Sequence, residues 1–289
     1  MAGVVIFVAA TAPRVLFAGE KAPSKEICIT FDQLPVAESF TEINRQEVTD
    51  KILAALRKHE VKAAGFVVGS QIGTSFDLLG SWLNDGHLLG NLTYSHEDLN
   101  QLSPDKFLQD VAAGNQALEP MLDGFGQNKR YFRYPYLHYG NTLAIKQQVR
   151  EYLDEMQMVV VHATVVVDDY LYNLSFEKLG DRPDTAKVTA LRNEYLAHVV
   201  GRVERSEELA RDLLHRSCRH ILQLRANRLN AESLDMLLTR LKWLGYRFVE
   251  LDYALQDKVY SSEEAYFGPR GMGYLDMIRQ SNPDLLPAR

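Results

Sequence analysis

The stretch Ile27-Cys28-Ile29-Thr30-Phe31-Asp32-Gln33, followed by Leu34-Pro35, decides the fold. Apolar and β-branched residues make it a short buried strand, and Pro35 forbids its continuation. The strand ends on an acid. A carboxylate at the carboxyl end of a first strand is where α/β folds place their chemistry, although a lone strand-end Asp serves equally well as a loop cap.

Working outward, strand and helix patterns alternate along the chain. Residues 43–58 carry Val48, Ile52, Leu53 and Leu56 on one helical face, and 62–69 is an apolar run of strand length. A helix over 75–85 turns Leu78, Leu79 and Trp82 inward and stops at Gly86, a strand covers 87–93, and Ser103-Pro104-Asp105 opens a long helix to about Leu122. Residues 131–135 and 158–167 read as strands and 142–156 as a helix. Then come a charged helical region over 185–215, a strand over 220–224, a helix over 231–244 and a last strand over 246–251. Short apolar strands alternating with helices predict one α/β domain at 25–257, with helices ringing the sheet. Residues 258–289, rich in Gly and Pro, are expected to form a surface extension.

Composition removes several function classes. A net charge of -6 leaves no basic footprint for nucleic acid. Two cysteines, Cys28 and Cys218, give neither a disulfide framework nor a cysteine zinc site, and both fall on expected strands. The apolar run at 3–12 is too short to span a membrane. It has the length of a secretory core but lacks a basic flank before it, so residues 1–24 read either as a degraded or truncated signal, which implies a secreted or periplasmic protein, or as a plain N-terminal strand of a cytoplasmic one.

The strand ends, taken in order, carry a resemblance that covers most of residues 25–257. Thr30-Phe31-Asp32-Gln33, Gly90-Asn91-Leu92-Thr93-Tyr94-Ser95-His96, Phe132-Arg133-Tyr134-Pro135, Asp168-Asp169-Tyr170 and Ile221-Leu222-Gln223-Leu224-Arg225 resemble the successive motifs of the polysaccharide deacetylases, the NodB-type carbohydrate esterases. The resemblance implies a distorted (β/α) barrel, removal of acetyl groups from N-acetylated oligo- or polysaccharides, and a zinc-type divalent metal. It also implies roles: Asp32 as base, Arg133 as its partner, and His96 as a metal ligand. Tyr134, Pro135 and Tyr136 would touch substrate; read from the residues, Tyr131, Tyr134, Tyr136 and Tyr139 either offer stacking surface to sugar rings or simply pack and cap the barrel mouth.

Three decisive positions depart from that pattern. Gln33 and Leu92 stand where the family has metal ligands, and Arg225 stands where it has an acid histidine. A neutral amide is a poor ligand, Leu is none, and Arg does not release its proton near neutral pH. Three readings are open: a pseudoenzyme that still binds glycan, an active carbon–nitrogen hydrolase with a site rebuilt from His96, His138, Asp168 and Asp169, and a structural or partner-binding protein. Against the second, His138 and His162 read more readily as ordinary hydrogen-bonded histidines, and adjacent aspartates on a strand point to opposite faces. Loss of a metal would leave Asp32 an unbalanced buried charge, so Arg225 and Arg133 are expected to hold it together.

Overall fold

A computed structural model describes residues 25–37, 44–180, 184–262 and 264–282; the signal-like run at 3–12 lies outside them. Strand β1 (Lys25–Leu34) leads to α1 (Arg45–Lys58), β2 (Ala64–Val67) to α2 (Phe76–Asn84), and β3 (Leu88–Asn91) to α3 (Pro104–Gly124). Then follow β4 (Arg130–Phe132), α4 (Leu143–Glu155), β5 (Met158–Val160), β6 (Val165–Val166), α5 (Asp169–Glu177) and the long α6 (Thr185–Leu214). The order ends with β7 (Arg219–Arg225), α7 (Arg228–Trp243), β8 (Tyr246–Phe248), α8 (Leu251–Ala254) and α9 (Tyr274–Ser281). Every registered pair is parallel, in the order β5-β4-β3-β2-β1-β7-β6, and β8 lies against the start of β1. The result is a distorted (β/α) barrel. Its sheet path does not close, because β5 and β6 at its two ends are not paired with each other among the described residues.

Side-chain alternation on β1 organises the interior. Ile27, Ile29 and Phe31 point outward into the main apolar cluster, where Ile52 and Leu56 of α1 and Leu234 and Leu238 of α7 cover them. Cys28 packs on the opposite face with Phe66, Leu92 and Ile221. Asp32, four residues on, shares that inner face. The β7 register sets Cys28 beside Ile221, Thr30 beside Gln223 and Asp32 beside Arg225. Two polar columns therefore stand side by side inside the carboxyl end of the barrel.

Helix starts follow their caps: Asn44, Ser103, Thr142 and Asn227 each accept a backbone N–H of the first turn. Three expectations are corrected. Residues 158–167 make two strands on different partners, β5 on β4 and β6 on β7. Asp168 and Asp169 lie at the start of α5, not on a strand. That helix escapes hydrophobic periodicity because its buried stripe is polar: Asp169, Asn173 and Glu177, spaced by four. The segment after Asp257 is also more than a surface extension. Its α9 buries Tyr274, Leu275, Met277 and Ile278, and Tyr274 N–H donates to the Ala163 carbonyl beside the gap between β5 and β6.

At the amino end of β7, Glu207 ties α6 to the sheet. It accepts from Ser217 Oγ at 2.8 Å and meets His220 Nε2 at 3.0 Å, with His220 fully buried. Burial alone would raise the Glu207 pKa, but the His220 and Ser217 hydrogen bonds outweigh it and hold the carboxyl at about 2. A folded pKa below the ordinary value of about 4.3 gives stability that is complete above that pH and disappears as pH falls toward 2. Glu207→Gln should lower the melting temperature by roughly 5 °C at neutral pH. The gap to the parent should close between about pH 4.3 and pH 2, and a gap unchanged across that window would refute the assignment.

Candidate functional site

A cavity of about 630 Å³ opens where β1, β6 and β7 end, between the loops that follow β3 and β4. Asp32 lies at its floor. Arg133, fully buried, donates from Nη1 to Asp32 Oδ1 at 2.7 Å and to Thr30 Oγ1 at 2.8 Å, while its Nε donates to the Val161 carbonyl at 3.1 Å. The guanidinium lies 4.1 Å from the centre of the Phe66 ring. Gln223 Nε2 donates to Asp32 Oδ2. Both carboxylate oxygens therefore accept from side chains, one just beyond the end of β4 and one on β7.

Arg225 does not share in this. Its guanidinium and its backbone N–H both donate to Asp169, which is 0% exposed and also accepts from Asn230 Nδ2 at 2.7 Å. Burial works against the Arg225 charge, and the Asp169 carboxylate overrides it, raising the guanidinium pKa above its ordinary value. Arg225 makes no hydrogen bond to Asp32 because α5 brings a nearer acid, and Asp32 adds only a longer-range attraction to it. Each arginine has its own carboxylate.

His96 lines the cavity with its ring against Tyr136, centroids 4.8 Å apart. Burial lowers its pKa to about 4 despite the opposing pull of Asp32, so the imidazole is neutral above that pH. Several residues around this mouth adopt left-handed backbone: Gln33 (φ 62°), Thr93 (φ 63°), His96 (φ 60°), Tyr136 (φ 58°) and Leu137 (φ 55°). Such conformations cost on the order of 1–3 kcal/mol each and concentrate at functional sites. The surroundings hold them in place. His96 N–H donates to Thr93 Oγ1 at 3.0 Å, and Gly114 of α3 is the only residue type that fits there, since a Cβ would stand 2.4 Å from Asn91 Oδ1.

The donors present do not fit a zinc-type centre. Leu92 is 0% exposed inside the apolar cluster and offers no donor atom, and Gln33 offers only an amide beside the single imidazole of His96. A rebuilt centre does not form either. His138 Nδ1 is 2.7 Å from Asp98 Oδ1, Asp169 is saturated by cation and amide donors, and the Asp168 backbone N–H donates to His198 Nε2 at 3.3 Å. Among the described residues no three His, Cys, Asp or Glu side chains converge.

Of the tyrosines expected at the mouth, only Tyr136 lines this cavity. Tyr134 and Tyr139 are buried in the ring pairs Tyr134–Tyr139 and Phe132–Tyr134, Tyr131 is buried in another cluster with its hydroxyl donating to Asp252 at 2.6 Å, and Pro135 is buried too. Tyr170, 44% exposed, lines the cavity in their place with its ring beneath Arg225. Gln223 was not anticipated as a site-forming residue, and Asp169 was anticipated only as a member of a rebuilt metal site, not as the partner of Arg225. For Gln223 the signal was present, as a lone amide in the apolar run Ile221 to Leu224.

Double-mutant cycles separate the two arginines. The Arg225–Asp169 pair should show a coupling of about 2 kcal/mol or more, and the Arg225–Asp32 pair less than about 1 kcal/mol. Unfolding in denaturant measures both, and the reverse ranking would overturn the pairing.

The comparisons with known proteins agree with this architecture. Residues 19–159 match the family model described as polysaccharide deacetylase. A peptidoglycan-N-acetylglucosamine deacetylase of Bacillus cereus is 26% identical over 226 residues, 78% of this chain and 70% of that protein. One from Listeria monocytogenes is 26% identical over 236 residues, of which this chain spans 40% of the longer protein. Among solved structures, a CE4 family pseudoenzyme from Bacillus anthracis superposes with a TM-score of 0.54 at 20% identity, covering 82% of this chain and 67% of that one. Motif order, barrel and matches together show that the chain resembles the polysaccharide deacetylases.

Proposed function

We propose that the chain binds an N-acetylated glycan in the strand-end cavity without hydrolysing it. The observation that carries this is the state of Asp32. A general base is strongest when its carboxylate is little stabilised by donors, and here Arg133 donates to one oxygen and Gln223 to the other, which weakens Asp32 as a base. The residues that would hold a metal do not fit one, so no bound ion lowers the pKa of a water. Arg225, fixed on Asp169, keeps its proton and cannot protonate a leaving amine.

Binding has better support than hydrolysis. Tyr136 and Tyr170 expose 51% and 44% of their surface at the cavity, and flat aromatic faces suit the C–H faces of sugar rings. Relatives are named for action on peptidoglycan N-acetylglucosamine and on chitin, and a protein of the same fold is described as a pseudoenzyme. Peptidoglycan lies outside the cytoplasmic membrane, so this reading also favours a secreted or periplasmic protein. Among the described residues no helix is long and apolar enough to cross a membrane.

Calorimetry with chitopentaose, alongside acetate release in zinc-containing buffer, tests both halves. Saturable binding that weakens about tenfold in Tyr136→Ala is expected, with acetate at the level of the protein-free control. Acetate release that disappears in His96→Ala would instead establish an active hydrolase with an atypical site.

A further inference from the structure

The chain that follows the barrel returns to the strand-end cavity. Residues 264–282 run from α4, past the gap between β5 and β6, into α9, and on the way Gly271 becomes part of the cavity lining. Contacts on both sides of Gly271 anchor this passage. Before it, Lys146 Nζ donates to the Glu264 carboxylate and to the Tyr266 carbonyl at 2.7 Å. The Gly268 N–H donates to the Gly140 carbonyl at 3.0 Å, and Asn100 Nδ2 donates to the Gly268 carbonyl at 3.1 Å. After it, the Tyr274 N–H donates to the Ala163 carbonyl at 2.7 Å, and Tyr274, Leu275, Met277 and Ile278 are buried. The Lys146–Glu264 pair is almost closed to water, and such a pair resists separation because each ion alone would stay desolvated.

Gly271 lies against the backbone of Tyr136. A Cβ at Gly271 would overlap the Tyr136 carbonyl oxygen and stand 3.2 Å from Leu137 Cβ. Backbone conformation is not the reason for a glycine here, since Gly271 is absent from the residues with positive φ. Space is the reason. The residues it touches are strained: Tyr136 and Leu137 are consecutive left-handed residues, at φ 58° and 55°, and such backbone persists only where its neighbours fix it. Leu137 is buried and its N–H donates to the Tyr134 carbonyl at 3.1 Å, which holds one side of the turn. Gly271 closes the other. So held, the Tyr136 ring stands in the cavity beside the ring of His96.

We propose that Gly271 is a positioning residue for the strand-end cavity: the anchored chain around it presses bare backbone against the Tyr136 carbonyl and thereby sets the Tyr136 ring beside His96. The segment after the barrel is then a wall of the ligand site. That Tyr136 serves a glycan rests on the function proposed above; that Gly271 fixes its position does not. An added methyl group leaves little choice of response. The anchors at Gly268 and Tyr274 hold the chain three residues before and three after, so the Tyr136 turn must give way instead. A turn that relaxes from left-handed backbone carries its side chain to a new direction, and a binding surface is only as precise as the shell that supports it. Gly271 itself is exposed, so the same methyl group leaves the barrel core untouched.

The test is the nuclear Overhauser effect between the Tyr136 and His96 rings in the ligand-free protein, with chitopentaose binding followed by calorimetry. Gly271→Ala should lose most of that ring contact and bind chitopentaose about tenfold more weakly. Gly273→Ala is the control from the same segment. Its Cβ would first meet the Thr164 and Ala163 carbonyls, at 3.3 and 3.7 Å, and it should keep the ring contact and hold binding within about twofold. Asn100→Ala, which cuts an anchor on Gly268 and adds no atom, should weaken the ring contact as well. A ring contact of parent strength in Gly271→Ala overturns the proposal, and so does an equal loss in Gly273→Ala. Should Gly271→Ala not fold, Asn100→Ala decides by the same criterion. A parent protein that binds no chitopentaose removes the glycan reading, and the ring contact still decides the role of Gly271.

Discussion

The buried pair of Arg133 and Asp32 is the constraint around which the barrel is arranged. Withdrawing two ions from water costs several kcal/mol each, and their attraction offsets this only with good geometry and satisfied hydrogen bonds. The fold supplies the geometry and most of the hydrogen bonds, leaving Arg133 Nη2 buried without a partner among the described residues. β1 and β7 run in a register that sets Gln223 and Arg225 beside Thr30 and Asp32, the Val161 carbonyl receives Arg133 Nε, and Phe66 lies beneath the guanidinium. Shifting β7 by one residue would turn Gln223 outward and leave Asp32 Oδ2 without its donor. The ionic centre thus specifies the strand register more strongly than apolar packing could alone.

A second pair, Arg225 with Asp169, repeats the arrangement one layer higher and fastens α5 to the end of β7. Asn173 continues the tie by accepting the Leu229 N–H at the start of α7, and Asn227 and Asn230 fill the space between. The polar stripe of α5 does for the upper rim what leucines do for α1 and α7. Extensively paired polar layers of this kind hold their side chains in fixed positions, which suits recognition.

Much of the architecture was legible from local pattern. Periodicity and caps place α1, α3, α4 and α7 within a few residues, since their buried faces are apolar and their starts carry Asn, Ser or Thr. The α5 helix was hidden because burial there is polar, and a moment of hydrophobicity carries no information about a face made of Asp, Asn and Glu. The strand-end positions Asp32, His96, Arg133 and Arg225 were readable as a set, but not their partners. Which acid Arg225 meets depends on where α5 lies, and whether Tyr134 faces a groove or the core depends on α4 and α9. Those are tertiary facts, set by segments far away along the chain.

The order of the sheet has a consequence for synthesis on the ribosome. β1 emerges early, yet Thr30 and the Leu222 carbonyl it donates to are 192 residues apart. At cellular elongation rates of about 5–20 residues per second, roughly 10–40 s pass before β7 exists. Through that interval one edge of the central strand has no partner, and Asp32 remains a hydrated carboxylate with only Arg133 of its two donors available. The barrel can therefore condense only late, and until then the nascent chain presents an apolar strand edge that chaperones, or other nascent chains, can reach.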